Sequence, residues 1–547
     1  MPTLQFSEDL SPPRPHLQRK QLLNHIIDGL AQVRPESIWA KIPNDMSSYD
    51  AGYRKITYKM MANAINGMAW WIKSELGVSQ NFETLAYFGT WDPRYIILLL
   101  GAVKAGYKMI FPSPNYAVTG LTTLLDQLGC KIILASSKQL DIVSRLSKGG
   151  HKQFYEIPSL TKLLDEPHPH FSFNKTFDAA QSEPLVVVHT SGTTGTPKPL
   201  IYTHDWVASW IEMNQTDPPA GYTSLEHMVH GIEICAVTPP NHSSSLLPNL
   251  FAAVPNQMVV LFPLPKSPLT FETAMEMIRC NSPDLLLAPA HVLDGIASDV
   301  TRIQEVSTKV SMISFGGGPL SKSTGDILTQ HFRLFGMYGT SEMGTIHKIV
   351  PYGTWDSRTW NSWKPHPGDN IEFRRLQDDS YEAIVHRNNA ANGEQPVFKL
   401  FPDLQEWSTR DMFSPDPHRE GFWAYRGRVD DLIILNNGGT INPSGYEEKI
   451  SSVPFVSQAI MYGTGMPHPA LLVEVFELQG QEASDLMDEL WAAVVECNQI
   501  FPPQSSISRS RIMTTTSSKP LPRSAKGMVQ RGPALELYRE ELNQLYD

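Results

Sequence analysis

The sequence predicts an α/β fold of at least two domains, in which helices flank sheets of the parallel type. Short β-branched, apolar runs alternate with amphipathic helical stretches over much of the chain, which is typical of such sheets. A length of 547 residues exceeds what one core organises, so a second domain is expected. The 41% hydrophobic and 18% charged residues fit a globular enzyme and argue against a disordered or fibrous chain.

The predicted elements follow one another regularly. Apolar residues at steps of three and four indicate an amphipathic helix over Ala62–Leu76. Strands are predicted over Phe82–Phe88, Met109–Pro112, Lys131–Leu134, Leu185–Val188, 284–290, Val310–Phe315, Arg333–Phe335 and Tyr381–Val385, and helices over Ile96–Val103, Leu121–Leu128 and from about Asp205. Asn437–Pro443 predicts a hairpin turn. After Asp431 the pattern becomes that of a smaller α+β domain.

Charge and cysteine content argue against several classes of protein. A formal net charge of −11 leaves no basic excess to neutralise phosphates, so no nucleic-acid partner is expected. The four cysteines lie far apart without a Cys-x-x-Cys pair, as in a cytoplasmic protein with reduced thiols. The polar, proline-rich start has no signal-peptide core, and the apolar stretch Tyr95–Val103 is too short to span a membrane. We therefore expect a cytoplasmic location and no membrane partner.

The most informative stretch is a loop of small hydroxyl residues, glycines and one lysine behind the strand Leu185–Val188. It consists of Thr190, Ser191, Gly192, Thr193, Thr194, Gly195, Thr196, Pro197, Lys198 and Pro199. Glycines admit an anion close to the backbone, hydroxyl and amide groups donate hydrogen bonds, and Lys198 adds positive charge. A flexible turn is the ordinary alternative, but ten such residues behind a buried strand favour a phosphate-binding loop. No Gly-Lys-[Ser/Thr] sequence ends it, so it is not the usual nucleotide loop.

Two further loops follow predicted strands at the edge where open α/β sheets bind ligands. Gly316, Gly317 and Gly318 follow the strand Val310–Phe315, and glycines there leave room for a flat ring. A plain tight turn is the alternative. Met337–Gly344 follows the next strand and contains an aromatic ring, a hydroxyl group and a carboxylate, which suit a purine, a phosphate and Mg²⁺ respectively.

In this order, the motifs resemble those of the adenylate-forming superfamily: acyl- and aryl-CoA ligases, luciferases, and adenylation domains of nonribosomal peptide synthetases and carboxylic acid reductases. The resemblance covers almost the whole chain. It implies ATP-dependent adenylation of a small-molecule carboxylic acid, with release of pyrophosphate. It also implies a large N-terminal domain, residues 1–429, that contains a small barrel-like sheet, and a small mobile C-terminal domain, residues 430–547, with its hinge at Asp430.

The resemblance assigns roles to individual residues. The loop Thr190–Lys198 would hold the pyrophosphate, and Gly316–Gly318 would border the adenine and the acyl pocket. The remaining roles are the adenine platform Tyr338 with Gly339, the α-phosphate ligand Thr340, the magnesium ligand Glu342, the ribose ligand Asp411, the ribose or α-phosphate ligand Arg428, and the catalytic lysine Lys526. Without the resemblance, Asp411 would be interpreted as a turn residue. Glycine follows Lys526 here but often precedes the lysine in relatives, and Lys519 is the nearby alternative.

The segment Asn241–Ser245 bears on the substrate. By resemblance, His242 lies at the mouth of the acyl pocket, whereas a histidine that caps the following helix is the alternative. Amino-acid-activating relatives usually place an aspartate in this segment to pair with the substrate ammonium group. No carboxylate is present here, and a buried unpaired ammonium is costly. An aryl or other non-amino acid is therefore favoured.

Within the superfamily, the Lys526-Gly527 order followed by Val529-Gln530-Arg531 looks most like fungal carboxylic acid reductases related to nonribosomal peptide synthetases. That resemblance implies a carrier domain, whose phosphopantetheine thiol accepts the acyl group, and a reductase domain that forms the aldehyde. Neither occurs in this sequence, so an adenylation domain excised from a longer enzyme is expected. A free-standing aryl- or acyl-CoA ligase would share the same site residues, and a nucleotide-binding regulatory protein that has lost catalysis is the third alternative.

Overall fold

The computed structural model describes residues 20–137, 141–147, 152–190, 198–352, 360–377, 379–388, 393–476, 483–524 and 528–546. These residues form two compact units. The first lies within residues 20–371 and 385–407, and the second comprises described residues of 372–384 and 408–546. The predicted division between residues 429 and 430 falls inside the second unit and stays a prediction.

Helices make up much of both units. The first unit contains α1 (Leu23–Val33), α2 (Tyr58–Leu76), α3 (Arg94–Lys104), α4 (Val118–Gln127), α5 (Asp141–Ser147), α6 (Leu160–Asp165), α7 (Phe177–Ala180), α8 (His204–Asn214), α9 (Leu225–Met228), α10 (Ser243–Leu246), α11 (Ala253–Asn256), α12 (Phe271–Cys280), α13 (Ala290–Ala297), α14 (Val300–Ser307), α15 (Lys322–Leu328) and α16 (Val397–Leu400). The second contains α17 (Ser444–Ser451), α18 (Ala483–Ile500), α19 (Arg531–Leu537) and α20 (Arg539–Gln544). Helix α3 is buried on every side, as its continuous apolar sequence requires. Its buried Lys104 is neutralised by Asp28, at 2.9 Å.

Two sheets of the parallel type organise the first unit. Its strands are β1 (Ile38–Pro43), β2 (Tyr53–Thr57), β3 (Thr84–Phe88), β4 (Lys108–Ile110), β5 (Ile132–Ala135), β6 (Gln153–Glu156), β7 (Pro184–Thr190), β8 (Lys198–Thr203), β9 (Tyr222–Ser224), β10 (Glu233–Ala236), β11 (Val259–Leu261), β12 (Leu285–Ala288), β13 (Met312–Phe315), β14 (Arg333–Gly336), β15 (Gly339–Thr340), β16 (Gly344–Thr345), β17 (Lys348–Pro351) and β18 (Ser362–Pro365). One sheet has the order β6-β5-β3-β4-β7-β8, and the other has the order β14-β13-β12-β10-β11-β1-β2. Only the edge strands β8 and β2 pair antiparallel in them. The predicted parallel α/β architecture is confirmed.

The second unit contains most of four strands of a further sheet, and two small sheets. Its strands are β19 (Ile371–Gln377), β20 (Ser380–His386), β21 (Glu406–Pro415), β22 (Trp423–Arg428), β23 (Ile433–Ile434), β24 (Thr440–Ile441), β25 (Val456–Tyr462), β26 (Ala470–Val475) and β27 (Ile512–Thr514), the first three of which extend slightly into the first unit. Strands β19 to β22 are neighbours in the predicted barrel-like sheet. Strands β23 and β24 form the predicted hairpin around residues 437–439.

The sheet β25-β26-β27 carries a core on each face. Ala459 and Met461 pack with residues of α17 and α18, whereas Ile460 packs with residues of α19 and α20. Successive side chains of β25 therefore alternate between two apolar clusters, as the period of a strand requires. The small α+β domain predicted after Asp431 is present.

Candidate active site

A short hairpin after β14 carries several of the predicted nucleotide-binding residues. Strands β15 and β16 pair antiparallel, with Gly339 opposite Thr345 and Thr340 opposite Gly344. A Cβ atom at residue 339 would lie 2.3 Å from the Gly344 carbonyl oxygen, so only glycine permits this pairing. The Thr340 hydroxyl oxygen accepts a weak hydrogen bond from the Met343 amide at 3.4 Å. That bond leaves its hydroxyl hydrogen to donate to a ligand.

Three aromatic side chains of β8 and α8 hold the backbone of this hairpin. The Tyr202 hydroxyl donates to the Ser341 carbonyl, and the Trp206 and Trp210 indole N–H groups donate to the Glu342 and Thr345 carbonyls, both at 3.1 Å. The rings of Tyr202 and Trp206 stack with their centroids 3.7 Å apart. Burial, together with the charge of Glu342, raises the pKa of Tyr202 well above its usual value, so its hydroxyl remains a donor. The hairpin is thus fixed before any ligand binds.

The Glu342 carboxylate has no structural partner in the part of the chain that is described. It makes no hydrogen bond or ion pair with the described residues, although its own backbone is fixed by Trp206. The side chain is partly exposed. A carboxylate held on a rigid turn and not neutralised by any of the described residues is suited to a hard cation such as Mg²⁺.

Tyr338 is supported by a second aromatic ring. Its ring stacks on Trp363 of β18, with centroids 5.3 Å apart and an interplanar angle of 19°. The Lys348 ammonium group lies over the Trp363 ring, 4.7 Å from the centroid, and donates to the Gly336 carbonyl. Burial lowers the pKa of Lys348 well below its usual value. The three side chains form a stack, which we call the Tyr338 support, that fixes the plane of the tyrosine ring.

Parallel pairing places the glycine loop beside this hairpin. Phe315 at the end of β13 is in register with Gly336 at the end of β14, and the Met337 amide donates to the Phe315 carbonyl at 2.7 Å. The loop Gly316–Gly318 therefore follows β13 at the same sheet edge as the hairpin. Gly317 has a φ of +85°, which a residue with a side chain adopts only under strain.

The ends of the predicted phosphate loop are paired, although most of the loop lies outside the described residues. Thr190 of β7 is opposite Lys198 of β8 in an antiparallel ladder. Ser191, Gly192, Thr193, Thr194 and Gly195 are not among the residues that the structure describes, so their predicted roles stay predictions.

His189, which the sequence did not single out, fixes the strand that leads into this loop. Its Nδ1 accepts from the Tyr116 hydroxyl at 2.9 Å, and its Nε2 donates to the Phe111 carbonyl at 3.2 Å. Burial lowers the pKa of His189, which keeps the ring neutral and consistent with one donor and one acceptor nitrogen. The end of β7 is thereby tied to the chain that follows β4.

His242 caps a helix, which was the alternative interpretation of this residue. It is the N-cap of α10, and its Nδ1 accepts from the Ser244 amide at 2.9 Å. The capping interpretation is confirmed, while a place at the mouth of an acyl pocket stays a prediction. The segment follows β10, which belongs to the same sheet as β13 and β14.

The second unit brings together three of its predicted site residues. Asp411 of β21 pairs in register with Arg428 of β22, and their side chains approach to 3.8 Å. Arg428 also contacts Asp430 at 3.3 Å, and Arg410 donates to Asp430 at 2.8 Å. That bond to Asp430 raises the pKa of Arg410. Arg410, which sequence reasoning missed, has a left-handed φ of +61°, and Asp411 is buried at 6% exposure.

Lys526 lies outside the described residues, but the chain on both sides of it is described. The Ser524 amide donates to the Met528 carbonyl at 2.7 Å, and Arg523 forms an antiparallel bridge with Val529. The alternative, Lys519, contacts the Glu541 carboxylate and lies 4.3 Å from the centroid of the Tyr538 ring. These contacts give Lys519 a structural role.

Comparison with known families identifies the chain. The family model described as AMP-binding enzyme matches residues 36–376, and the model described as AMP-binding enzyme C-terminal domain matches residues 430–547. The chain belongs to the AMP-binding enzyme family.

The chain is also similar over almost its whole length to solved structures. One of them is the anthranilate CoA ligase AuaEII in complex with anthranoyl-AMP. It gives a TM-score of 0.72 and 13% identity, and the match covers 96% of this chain and 98% of that chain. The O-succinylbenzoate coenzyme A synthetase of Bacillus subtilis in complex with AMP gives a TM-score of 0.69, 18% identity, and coverage of 94% and 97%. This AMP-binding enzyme therefore has the adenylate-forming fold.

Curated relatives of this AMP-binding enzyme include fungal reductases. A carboxylic acid reductase of Neurospora crassa is 28% identical, over 96% of this chain and 51% of that protein. The adenylate-forming reductase Nps11 of Serpula lacrymans is 26% identical, over 83% of this chain and 43% of that protein. The chain thus spans about half the length of these relatives or less.

Within the described ranges, no helix is long and apolar enough to cross a bilayer, and no group of three or more His, Cys, Asp or Glu residues is placed to hold a metal ion.

Proposed function

We propose that the chain activates a carboxylic acid by adenylation. A carboxylate is a poor electrophile, because it is anionic and its leaving group would be oxide. In the proposed step a substrate carboxylate oxygen attacks the α-phosphorus of ATP, the bond from that phosphorus to the bridging oxygen breaks, and pyrophosphate leaves. The product is an acyl-AMP with a good leaving group. The observation that carries this proposal is the rigid hairpin beside the Gly316–Gly318 loop. It presents the Thr340 hydroxyl and the Glu342 carboxylate, which no described residue neutralises.

The residues present fit a nucleotide and a magnesium ion. Tyr338 supplies a flat ring for adenine, Thr340 a donor for the α-phosphate, and Glu342 a carboxylate for Mg²⁺. Bound Mg²⁺ would neutralise charge on the departing pyrophosphate. The Thr190–Lys198 loop would hold the same group through its backbone amides and Lys198. In the second unit, Asp411 is proposed to accept from the ribose hydroxyls and Arg428 to contact the ribose or α-phosphate. No side-chain nucleophile is required, because positioning and charge neutralisation supply the rate.

The acyl group is proposed to pass next to the phosphopantetheine thiol of a carrier domain, and then to be reduced to an aldehyde. The support is the likeness to the proteins named carboxylic acid reductase and adenylate-forming reductase, of which this chain spans about half or less. Both partner domains are proposals for a longer enzyme. Rotation of residues 430–547 about Asp430 is the proposed change that exchanges the adenylating lysine for the hairpin around Gly438. A cytoplasmic location is proposed because all four cysteines are free.

The proposed substrate is an aryl or other non-amino acid. In the segment after β10, His242 and Ser244 contact one another at 2.9 Å, and Asn241–Ser245 contains no carboxylate for a substrate ammonium group. Burying such a group without a partner would be unfavourable. Shape within the pocket decides between individual acids in small increments of binding energy, so the acid is identified by assay.

The test is a panel of aromatic, aliphatic and amino acids in an assay of ATP-dependent pyrophosphate release, each followed by hydroxylamine trapping of the acyl-AMP. We expect at least one aromatic acid to release pyrophosphate and AMP and to give a hydroxamate. Formation of ADP and phosphate instead would refute adenylation. Coenzyme A is added in a second arm, where an acyl-CoA product would favour the free-standing ligase and little product would favour a carrier-dependent enzyme.

Replacement of Trp363 by leucine is expected to raise the KM for ATP about tenfold while changing kcat little. The reason is that Trp363 supports the Tyr338 ring without contacting the reacting atoms, and an aromatic pair of this kind contributes roughly 0.5–1.5 kcal/mol. Trp363→Phe should restore most of the affinity. Trp70→Leu is the matched control, because Trp70 also packs on an aromatic ring, with a lysine ammonium 4.8 Å above it, but lies on α2. Equal KM values for Trp363→Leu and the unmodified chain would contradict the support role.

A further inference from the structure

Asp369 is a buried carboxylate that the proposed reaction does not use. It lies in a short 3₁₀ turn after β18 and is only 2% exposed. Neither of its carboxylate oxygens accepts a hydrogen bond of normal geometry from the described residues, although the His347 and His366 backbone N–H groups lie close enough to oppose the rise of its pKa. Buried charged groups are almost always paired, so this carboxyl group calls for a partner.

Asp369 lines a small cavity of the first unit together with Asn214 at the end of α8. The Asn214 side-chain amide donates to the Trp210 carbonyl at 2.8 Å, which fixes the orientation of the amide. Its other atom, Oδ1, is buried and has no hydrogen-bond donor among the described residues. Three acceptor oxygens from two side chains of one cavity therefore lack a donor of normal geometry among the residues that the structure describes.

The Trp210 and Gln395 side-chain N–H groups that line this cavity already donate to carbonyl oxygens. The Trp210 indole N–H donates to the Thr345 carbonyl, and the Gln395 amide donates to the carbonyls of Asp369 and His386, at 3.2 and 2.5 Å. The Gln395 amide oxygen in turn accepts from the Asn388 backbone amide. The acceptor atoms left for a ligand at this otherwise largely apolar cavity are oxygens, which is the donor set of a hard cation.

The charges around Asp369 point to the same ligand. Burial, and secondarily the nearby Glu226 carboxylate, raise the pKa of Asp369 well above its usual value. The Lys348 ammonium group, which interacts with Glu226, is engaged by the Gly336 carbonyl and the Trp363 ring. His347 and His366 stack on each other close by, with centroids 4.7 Å apart. A small cation beside Asp369 would compensate the charge of its carboxylate without a proton.

We propose that this cavity binds a monovalent cation, K⁺ or Na⁺, through the Asp369 carboxylate and the Asn214 side-chain oxygen. One carboxylate and neutral oxygens suit a single positive charge, whereas sites for divalent ions usually gather more carboxylates. Met343, Thr345 and Ile346 of the Glu342 hairpin line the same cavity. Occupancy would therefore stabilise the packing of that hairpin against α8.

The test measures the thermal unfolding midpoint, Tm, of the full chain in KCl, NaCl and tetramethylammonium chloride at equal ionic strength. We expect KCl or NaCl to raise Tm by about 2–4 °C over tetramethylammonium, with saturation as the concentration increases. Asp369→Asn keeps the size of the side chain but removes its charge, so its Tm should be the same in all three salts. Asn214→Leu should raise the half-saturating concentration about tenfold, since it removes one ligand.

Asp403→Asn is the control, because Asp403 is exposed in the same unit and this variant should respond to the salts as the unmodified chain does. Equal Tm values of the unmodified chain in the three salts would overturn the proposal in favour of a protonated Asp369. A response that persists in Asp369→Asn would also overturn it, since the cation would then bind elsewhere. The readout is stability alone, so the result does not depend on the proposed adenylation.

Discussion

Replacement of Lys526 by alanine is expected to lower the rate of acyl-AMP formation about 10²–10³-fold, as the loss of one preorganised electrostatic contact typically does. The proposed role of Lys526 is to bridge the attacking carboxylate and the charge that develops at the α-phosphate. The chain on both sides of it is paired through Ser524 and Met528, so the substitution should leave the fold intact. Pyrophosphate exchange with a saturating acid measures the effect, and Tm checks the fold.

Lys519→Ala is the matched control for this prediction. Lys519 contacts Glu541 and the Tyr538 ring, so its loss should lower Tm slightly and leave the exchange rate within a few-fold of normal. If Lys519→Ala abolishes exchange and Lys526→Ala does not, the register of the motif is wrong and Lys519 is the catalytic lysine. If neither variant loses activity, this loop does not supply the catalytic cation.

The architecture was predictable because it depends on local patterns. Short, β-branched apolar runs such as Leu185–Val188 and Val310–Phe315 favour buried strands, and β7 and β13 lie within or across them. Their parallel order then places the loops that follow at one edge of a sheet. This explains why Gly316–Gly318 and the Tyr338 hairpin, predicted separately, follow neighbouring strands at that edge.

The groups that support the site were not predictable, because they come from distant parts of the sequence. Trp206 precedes Glu342 by 136 positions, and nothing in its local sequence indicates that its indole N–H holds that turn. The four-residue spacing of Trp206 and Trp210 was a usable signal for one face of α8, whereas Tyr202 lies on β8. Trp363 and Arg410 carried no comparable signal. His242 was ambiguous because an imidazole can serve either as a helix cap or as a pocket residue, and the structure shows the cap.

Replacement of Glu342 by glutamine is expected to lower the adenylation rate at a fixed magnesium concentration about 10²-fold or more and to raise the Mg²⁺ concentration for half-maximal rate. The carboxylate has no hydrogen-bond or ion-pair partner among the described residues, and the turn is held by its backbone through Trp206. The substitution should therefore leave Tm within about 1 °C of normal, since a surface change that breaks no contact costs little. Magnesium titrations of pyrophosphate release, with Tm measured in parallel, separate the two effects.

The matched control is Glu272→Gln on the exposed first turn of α12, which makes the same chemical change and should alter neither quantity by much. If Glu342 is a metal ligand, its substitution lowers the adenylation rate and leaves Tm almost unchanged. Loss of rate together with a large fall in Tm would assign Glu342 to the fold rather than to magnesium. A normal rate with an unchanged magnesium requirement would remove it from the site altogether, because the hairpin would then position Thr340 and Tyr338 without contributing a metal ligand.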